Sequence, residues 1–405
     1  MSIRTSPRSD VGHIPFTRTE ISPEAREAAV RVLASGWVTT GPEVSEFERE
    51  IGRWIGCDQA IAVSSCTQGI ELSLRALGLE PGAKVLASTM TFCGAVNAIL
   101  HAGLRPVLVD VDPATLMPDA RTTAEAVDRA DGVDAMTVVH YAGHPAPVEE
   151  LAEAAGVPLS RVVEDAAHAL GTFVGTRAVG TISAATCFSF YATKNLPIGE
   201  GGLVTTADPG IAESVRRGRL HGMSRDAWKR YLPGSNWRYG VETPGLKANM
   251  TDVQAAIGRA QLLRLNQWQA DREELAKRYD DRLTGIDRLS LPARPTDGRH
   301  AWHLYVIQVD RGFELSRDSL IERLAEEGID CSVHFTPVHH MEYMRALLVD
   351  AGTPAFPGAD EAFERIVSLP LYPSLSFEEV DFVCDVIKEL GEARRGSHTR
   401  EPVDA

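Results

Sequence analysis

Short apolar runs recur through the first half of the chain: QAIAVSS (59–65), KVLAS (84–88), RPVLVDV (105–111), AMTVVHY (135–141), RVVED (161–165), ATCFSF (185–190) and GLVTT (202–206). Segments with apolar residues at helical spacing lie between most of them. Near-continuous apolar strands alternating with helices predict an α/β fold, with a mostly parallel sheet and helices on both faces. Ligands of such sheets sit at the carboxyl ends of the strands. Near the start, ISPEAREAAVRVLASG (21–36) predicts a helix, with Ser22 as N-cap, Pro23 at the first position and Gly36 as the stop. From Val253, VQAAIGRAQLLRLNQWQADREELAKRYDDRL predicts one long amphipathic helix joining a large domain to a smaller one. Beyond it, a strand (302–309) and two helices (316–328 and 376–392) suggest an α+β unit. The expected division is 14–252 for the large domain, 253–392 for the connecting helix and small domain, and 393–405 for a polar tail expected to be disordered.

Composition narrows the class. At 405 residues the chain is long enough for two cores, and its 44% hydrophobic and 24% charged content is that of a globular protein. There is no apolar run long enough to span a bilayer, and the first residues carry no apolar segment of the kind that marks a secretory leader. The cysteines at 57, 66, 93, 187, 331 and 384 are scattered without a C-x-x-C pair. They read as small core residues in a reducing, cytoplasmic compartment, with no metal site. A net charge of −15 argues against nucleic acid as a partner, since phosphate binding needs neutralising cations. Neither a G-x-G-x-x-G opening a helix nor a G-x-x-x-x-G-K-[ST] occurs, which disfavours a nicotinamide-dependent oxidoreductase or a P-loop enzyme.

Candidate chemistry begins with CFSFYATKNLPIGEGG, 187–202. Lys194 is one of six lysines among 41 basic residues, so a plain surface cation here would more often be arginine. Placed among aromatics, an amine loses stability as an ammonium, and its neutral form is a nucleophile for aldehydes and ketones. A structural lysine paired with Glu200 is the alternative. Asp165, in VEDAAHALG (163–171), stands at the carboxyl end of an apolar strand. Its carboxylate either caps a following helix or pairs with a pyridinium nitrogen. In AVSSCTQGIELSL (62–74), a strand runs into small polar residues and a helix beginning near Thr67, whose free N–H groups suit a phosphate. A phosphate cradle, a strand-end aspartate and a lysine together describe a site for pyridoxal 5′-phosphate.

These segments resemble the DegT/DnrJ/StrS family of sugar aminotransferases, over residues 14–390. VEDAAHALGT, FSFYATKNLPIGEGG and TPGLKANMTDVQAAIGRAQL carry the likeness. It implies the fold-type I aminotransferase architecture, in which a mostly parallel seven-stranded sheet lies between helices beside a smaller C-terminal α+β domain. It implies that Lys194 is the cofactor's covalent anchor and proton carrier, that Asp165 meets the ring nitrogen, and that His168 lies near the phenolic oxygen. By the same likeness Phe92 stacks on the ring, Thr67, Gln68 and Ser189 hold the phosphate, and Asn249 reaches the phosphate of a neighbouring subunit in a homodimer with shared sites. Each has a plainer alternative: a core Phe for Phe92, a helix-surface histidine for His168 and a helix N-cap for Asn249. Cys66 departs from the Gly or Ala of many relatives.

The implied reaction moves an amino group from L-glutamate to a keto-sugar nucleotide. VRRGRLHGMSRDAWKRY (215–231) concentrates Arg216, Arg217, Arg219, Arg225, Lys229 and Arg230, a candidate contact for a diphosphate or a solvated helix end. Its wording resembles relatives that aminate C4 of dTDP- or UDP-4-keto-6-deoxyhexoses. Arg225, Lys229, Lys247, His334 and His339 are the candidate substrate residues, with His340 beside them. Antibiotic or surface-glycan biosynthesis would use such an amino sugar. Alternatives are a cyclitol or other non-nucleotide aminotransferase of the family, and a noncatalytic cofactor-binding regulator. A sugar 3-dehydratase is disfavoured, because relatives with that chemistry carry histidine in place of the lysine.

Overall fold

The computed structural model describes residues 12–223, 240–349 and 355–392. Its first helices are α1 (Pro23–Ser35) and α2 (Pro42–Ile55). In α1 the Ser22 hydroxyl accepts from the Ala25 N–H, and Gly36 ends the helix at φ 75°. Only a residue without Cβ adopts that conformation freely, so the stop was readable from the sequence.

Strands and helices then alternate: β1 (Gln59–Val63), α3 (Cys66–Ala76), β2 (Lys84–Ser88), α4 (Cys93–His101), β3 (Arg105–Val109), α5 (Ala120–Ala130), β4 (Ala135–Val139), α6 (Val148–Ala155) and β5 (Val162–Asp165). Two short strands, β6 (Phe173–Val174) and β7 (Arg177–Ala178), precede β8 (Ala185–Ser189), β9 (Gly202–Thr206) and α7 (Pro209–Gly218). The seven longer strands form one sheet in the order β1-β9-β8-β5-β4-β2-β3. Only β9 runs against the others, pairing antiparallel with β1 and β8. Each predicted apolar run is one of these strands. Most of their residues are buried because helices cover both faces. The carboxyl ends of β1, β2, β4, β5 and β8 therefore share one edge of the sheet, and Gly202 starts β9 at that same edge.

The long helix expected from Val253 is two helices, α8 (Asp252–Leu262) and α9 (Leu265–Leu283). The break follows Gln261, which is fully buried. Its Nε2 donates to the carbonyls of Glu20 (2.7 Å) and Pro197 (3.1 Å), and its Oε1 accepts from the Ser22 N–H (3.1 Å). Those bonds fix the end of α8 against α1. Leu275, Tyr279 and Leu283 of α9 instead enter a separate core with Tyr305, Val367, Val380 and Ile387. One straight rod would not satisfy both.

That second core packs around the strands β10 (Leu289–Ser290), β12 (Tyr305–Val309) and β13 (Ile366–Leu369), which form a three-stranded sheet. The strand β11 (Gly298–Arg299) pairs instead with β6. The helices α10 (Arg317–Glu326), α11 (Glu342–Val349), α12 (Pro357–Phe363) and α13 (Phe377–Glu392) complete the described chain. The strand expected from Trp302 starts only at Tyr305. The residues before it are tied to the turn after β4, with Ala301 N–H donating to Gly143 O (2.9 Å) and His303 N–H to Ala142 O (3.0 Å).

Candidate active site

At the carboxyl edge of the sheet lies a cavity of about 520 Å³. Thr67, Phe92, Asp165, His168, Ser189, Lys194 and His334 line it, together with His303, Phe335, Glu200 and Gly201. Sequence positions more than two hundred residues apart thus meet because parallel strands deliver their ends to one edge.

Lys194 follows β8 in a turn closed by its own N–H donating to Tyr191 O (2.9 Å). The turn is anchored by fully buried Phe190 and Leu196. Burial pushes the amine down to about 8, against the opposing pull of Asp165 and Cys66. Among the described residues no carboxylate comes within ion-pairing distance, so the expected alternative, a pair with Glu200, does not form. The side-chain hydrogen-bond partner of Lys194 among the described residues is His303 Nε2, 3.4 Å away.

Asp165 is the last residue of β5 and is 7% exposed. No helix follows it, so the helix-capping alternative falls away. Its Oδ1 accepts from the Ala167 N–H (3.1 Å) and lies 3.6 Å from Cys66 Sγ, while no described protein donor reaches Oδ2. Burial raises its pKa despite the Ala167 bond and Lys194. Such a carboxylate is completed by a cation brought to Oδ2.

His168 is buried in a turn and not on a helix surface. Its Nδ1 accepts from the Ala142 N–H (3.2 Å), so in the neutral ring the proton sits on Nε2. Burial, with Lys194 and His334 nearby, holds its pKa well below the ordinary histidine value. It therefore presents a neutral N–H donor. Phe92 is 58% exposed at the cavity rim, which excludes the core alternative.

The helix α3 opens at Cys66, one residue before the expected start. Its N-cap Ser65 accepts from the Gln68 N–H (3.2 Å), leaving the N–H groups of Cys66 and Thr67 without a protein acceptor among the described residues. Glycines keep the approach clear. A Cβ on Gly202 would lie 2.5 Å from the Ser65 carbonyl carbon and 2.7 Å from Cys66 N, and one on Gly94 would lie 2.7 Å from Thr67 Oγ1.

Other expected residues lie elsewhere. Gln68 turns its side-chain oxygen to the Ser64 hydroxyl and does not line the cavity. Its backbone, not its amide, belongs to the helix start. His339 is outside the cavity: Nδ1 meets Thr89 Oγ1 (2.7 Å) and Nε2 meets Asp360 Oδ1 (2.9 Å), so both ring nitrogens are engaged. His340 bonds the same carboxylate oxygen. His334 lines the cavity with its Nδ1 2.9 Å from Ser368 Oγ, and burial pushes it down to about 4. Asn249 is not the N-cap of α8, a place that Thr251 takes. Its Nδ2 donates to Thr40 Oγ1 (2.7 Å) and its Oδ1 accepts from Lys247 Nζ (2.6 Å), with neither residue lining this chain's own cavity. Arg216 and Arg219 bond Gln59 and Glu48, and Arg217 bonds Glu213 and Glu242, as expected of a helix end with ion pairs. Arg225, Lys229 and Arg230 lie outside the described residues.

His303, Phe335 and Asn195 escaped sequence reasoning. Phe335 stacks near-parallel on His168 with centroids 5.6 Å apart. No local motif marks these residues, although Asn195 directly follows the singled-out lysine.

The residues fit pyridoxal phosphate: free helix N–H groups for a phosphate, an unpartnered carboxylate oxygen for a pyridinium, a neutral donor at His168 and a buried amine for an aldehyde. Comparisons with known proteins agree. The spore coat polysaccharide biosynthesis protein SpsC of Bacillus subtilis is 42% identical over 380 residues, covering 93% of this chain and 97% of SpsC. Spr1654 of Streptococcus pneumoniae, solved in PLP and PMP forms, superposes in its PMP form with a TM-score of 0.84 at 30% identity, covering 94% of this chain and 99% of that one. The sugar aminotransferase CalS13 of Micromonospora echinospora gives a TM-score of 0.82 at 30% identity, covering 93% and 99%. Residues 19–388 match one family throughout, and the chain belongs to it: the DegT/DnrJ/EryC1/StrS aminotransferases, pyridoxal-phosphate-dependent enzymes of sugar metabolism.

Proposed function

We propose that this aminotransferase moves the amino group of L-glutamate to a keto-sugar nucleotide, at C4 of a dTDP- or UDP-4-keto-6-deoxyhexose. The observation that carries the reading is Lys194, a buried amine whose pKa is pushed down to about 8, lining the same cavity as Asp165, whose Oδ2 has no partner among the described residues. When bound, pyridoxal phosphate supplies an electron-accepting ring for the carbon that loses its proton. Asp165 holds positive charge at the ring nitrogen, and the His168 Nε2–H donates to the phenolic oxygen. The N–H groups of Cys66 and Thr67, with the Ser189 hydroxyl, hold the phosphate. Lys194 Nζ, once free, takes the proton from the donor's α carbon and returns a proton on the way back. With a pKa of about 8, roughly a tenth of the free amine is neutral at pH 7, against less than a thousandth for an ordinary lysine.

No arginine of the described residues lines the cavity, while a nucleotide diphosphate and glutamate both bring negative charge. Lys247 and Asn249 stand together on a surface outside their own cavity. Both facts support a homodimer in which each copy completes the other's site, with Arg225 and Lys229 as further diphosphate contacts. The likeness to SpsC favours a surface-glycan sugar.

The test is an absorption spectrum of the protein with pyridoxal phosphate, before and after L-glutamate. A visible band that glutamate bleaches, and that a 4-keto-6-deoxyhexose nucleotide then restores, supports the reading. A band that no amino donor alters would point to a regulator. Restoration by a keto-cyclitol and by no nucleotide would move the acceptor to the alternative class.

A further inference from the structure

His303 belongs to no motif, yet among the described residues it is the side chain within hydrogen-bonding distance of Lys194 Nζ. Its position is built from both cores. The carbonyl of Leu170 accepts from Gln269 Nε2 (2.7 Å), which leaves Gln269 Oε1 facing Asn195 Nδ2 (3.5 Å). Asn195 Nδ2 also donates to Ala301 O (2.8 Å). A backbone carbonyl can only accept, so that bond fixes the amide orientation and turns Asn195 Oδ1 to His303 Nδ1 (3.2 Å). An amide oxygen also only accepts, so Nδ1 of His303 carries the proton. Its Nε2 is then a lone pair facing Lys194 Nζ at 3.4 Å.

The ring cannot easily leave this state. It is 6% exposed, lies 4.4 Å from the His168 ring between centroids, and its backbone N–H is tied to Ala142 O. Burial first, then Lys194 and His168, hold its pKa well below the usual value, so it stays neutral. Burial lowers the pKa of Lys194 while Asp165 and Cys66 raise it, and Lys194 in turn lowers the pKa values of the facing rings of His168, His303 and His334. Glu200 lies on the same wall, and Arg272 acts on His303 from α9.

We infer that His303, held in one tautomer by Asn195, is a positioning residue that accepts a hydrogen bond from Lys194 Nζ whenever that amine is free. The contact gives the amine a fixed resting place beside the cavity and stabilises its protonated form. This rests on the proposed role of Lys194, but the contact belongs to the cofactor-free chain and is tested there.

The experiment follows the pH dependence of acetic anhydride labelling at Lys194, read by peptide mass spectrometry on cofactor-free wild type, His303→Phe and His303→Gln. Phe removes the acceptor, so the labelling midpoint should fall by about half a unit to one unit, and labelling at pH 7 should quicken about three- to fivefold. Gln keeps an acceptor oxygen and should return the midpoint toward wild type. Equal midpoints in all three, or equal shifts in Phe and Gln, overturn the inference. Should Phe not fold, 15N spectra of histidine-labelled wild type decide: a proton on Nδ1 supports it, and one on Nε2 overturns it. Reduction with borohydride in the presence of pyridoxal phosphate separates the two ideas, since modification away from Lys194 sinks its cofactor role while the labelling midpoints still judge His303.

Discussion

The fold opposes the charge that Lys194 would carry in water. Its pKa falls from 10.5 unfolded to about 8 folded, so the unfolded chain binds the proton more tightly. Stability is therefore full above about 10.5, declines as pH falls toward 8, and stays at the reduced level below that. Lys194→Met should remove the penalty, making the cofactor-free protein more stable at pH 7 by up to on the order of 3 kcal/mol. The gain should fade between pH 8 and 10.5, and urea unfolding at pH 7 and pH 10 checks both statements. The same variant should lose the visible band and the transfer reaction. Asp165→Asn keeps the shape but not the charge that a pyridinium needs. Single-turnover rates should fall about a hundredfold or more while the phosphate still binds. Lys194 and Asp165 were legible because each breaks a local expectation, a lysine among aromatics and an acid at the end of an apolar strand. His303 was not, because its partner is 109 residues away and HLYVIQV reads as an ordinary strand start.

Elements bring these residues together through their ends. The start of α3 meets the start of β9 where Gly202 has no room for a Cβ. Gly202→Ala should push the Ser65–Cys66 backbone aside and weaken pyridoxal phosphate binding at least about tenfold, measured by titration of the visible band. At the junction of α8 and α9, Gln261→Leu strands two carbonyls and one N–H in a buried place. It should cost about 2–3 kcal/mol in urea unfolding while leaving the spectrum of the bound cofactor unchanged. The seven strands were legible because a strand covered on both faces must be apolar nearly throughout. The helix break was not, because the residues at the junction have near-helical backbone angles and the apolar period continues across it.

At the scale of the whole molecule, the cavity within one chain has Lys194 as its lysine and no arginine among the described lining residues. The proposed homodimer makes a sharp prediction. Lys194→Ala and Asn249→Ala proteins should each be nearly inactive, one losing its own lysine and the other its neighbour's phosphate contact. Mixed and allowed to exchange subunits, they should recover about a quarter of wild-type activity, since about half the dimers then hold one intact site of two. No recovery despite demonstrated exchange would place Asn249 and Lys194 in the same chain's site, and full activity of the Asn249→Ala protein alone would leave Asn249 outside any site.

By itself the sequence determined which segments become strands, where α1 begins and ends, and which residue types could handle a phosphate, a pyridinium and an aldehyde. Those properties are local: apolar period, caps, and a charge set among unlike neighbours. Only the tertiary structure decided which of the candidates meet. It joined Lys194 to His303, turned Gln68 and His339 away from the cavity, set Phe92 at the rim, and bent one apparent helix into two. Each outcome depends on contacts between distant segments, where burial and hydrogen-bond direction, and not residue type, choose the partner.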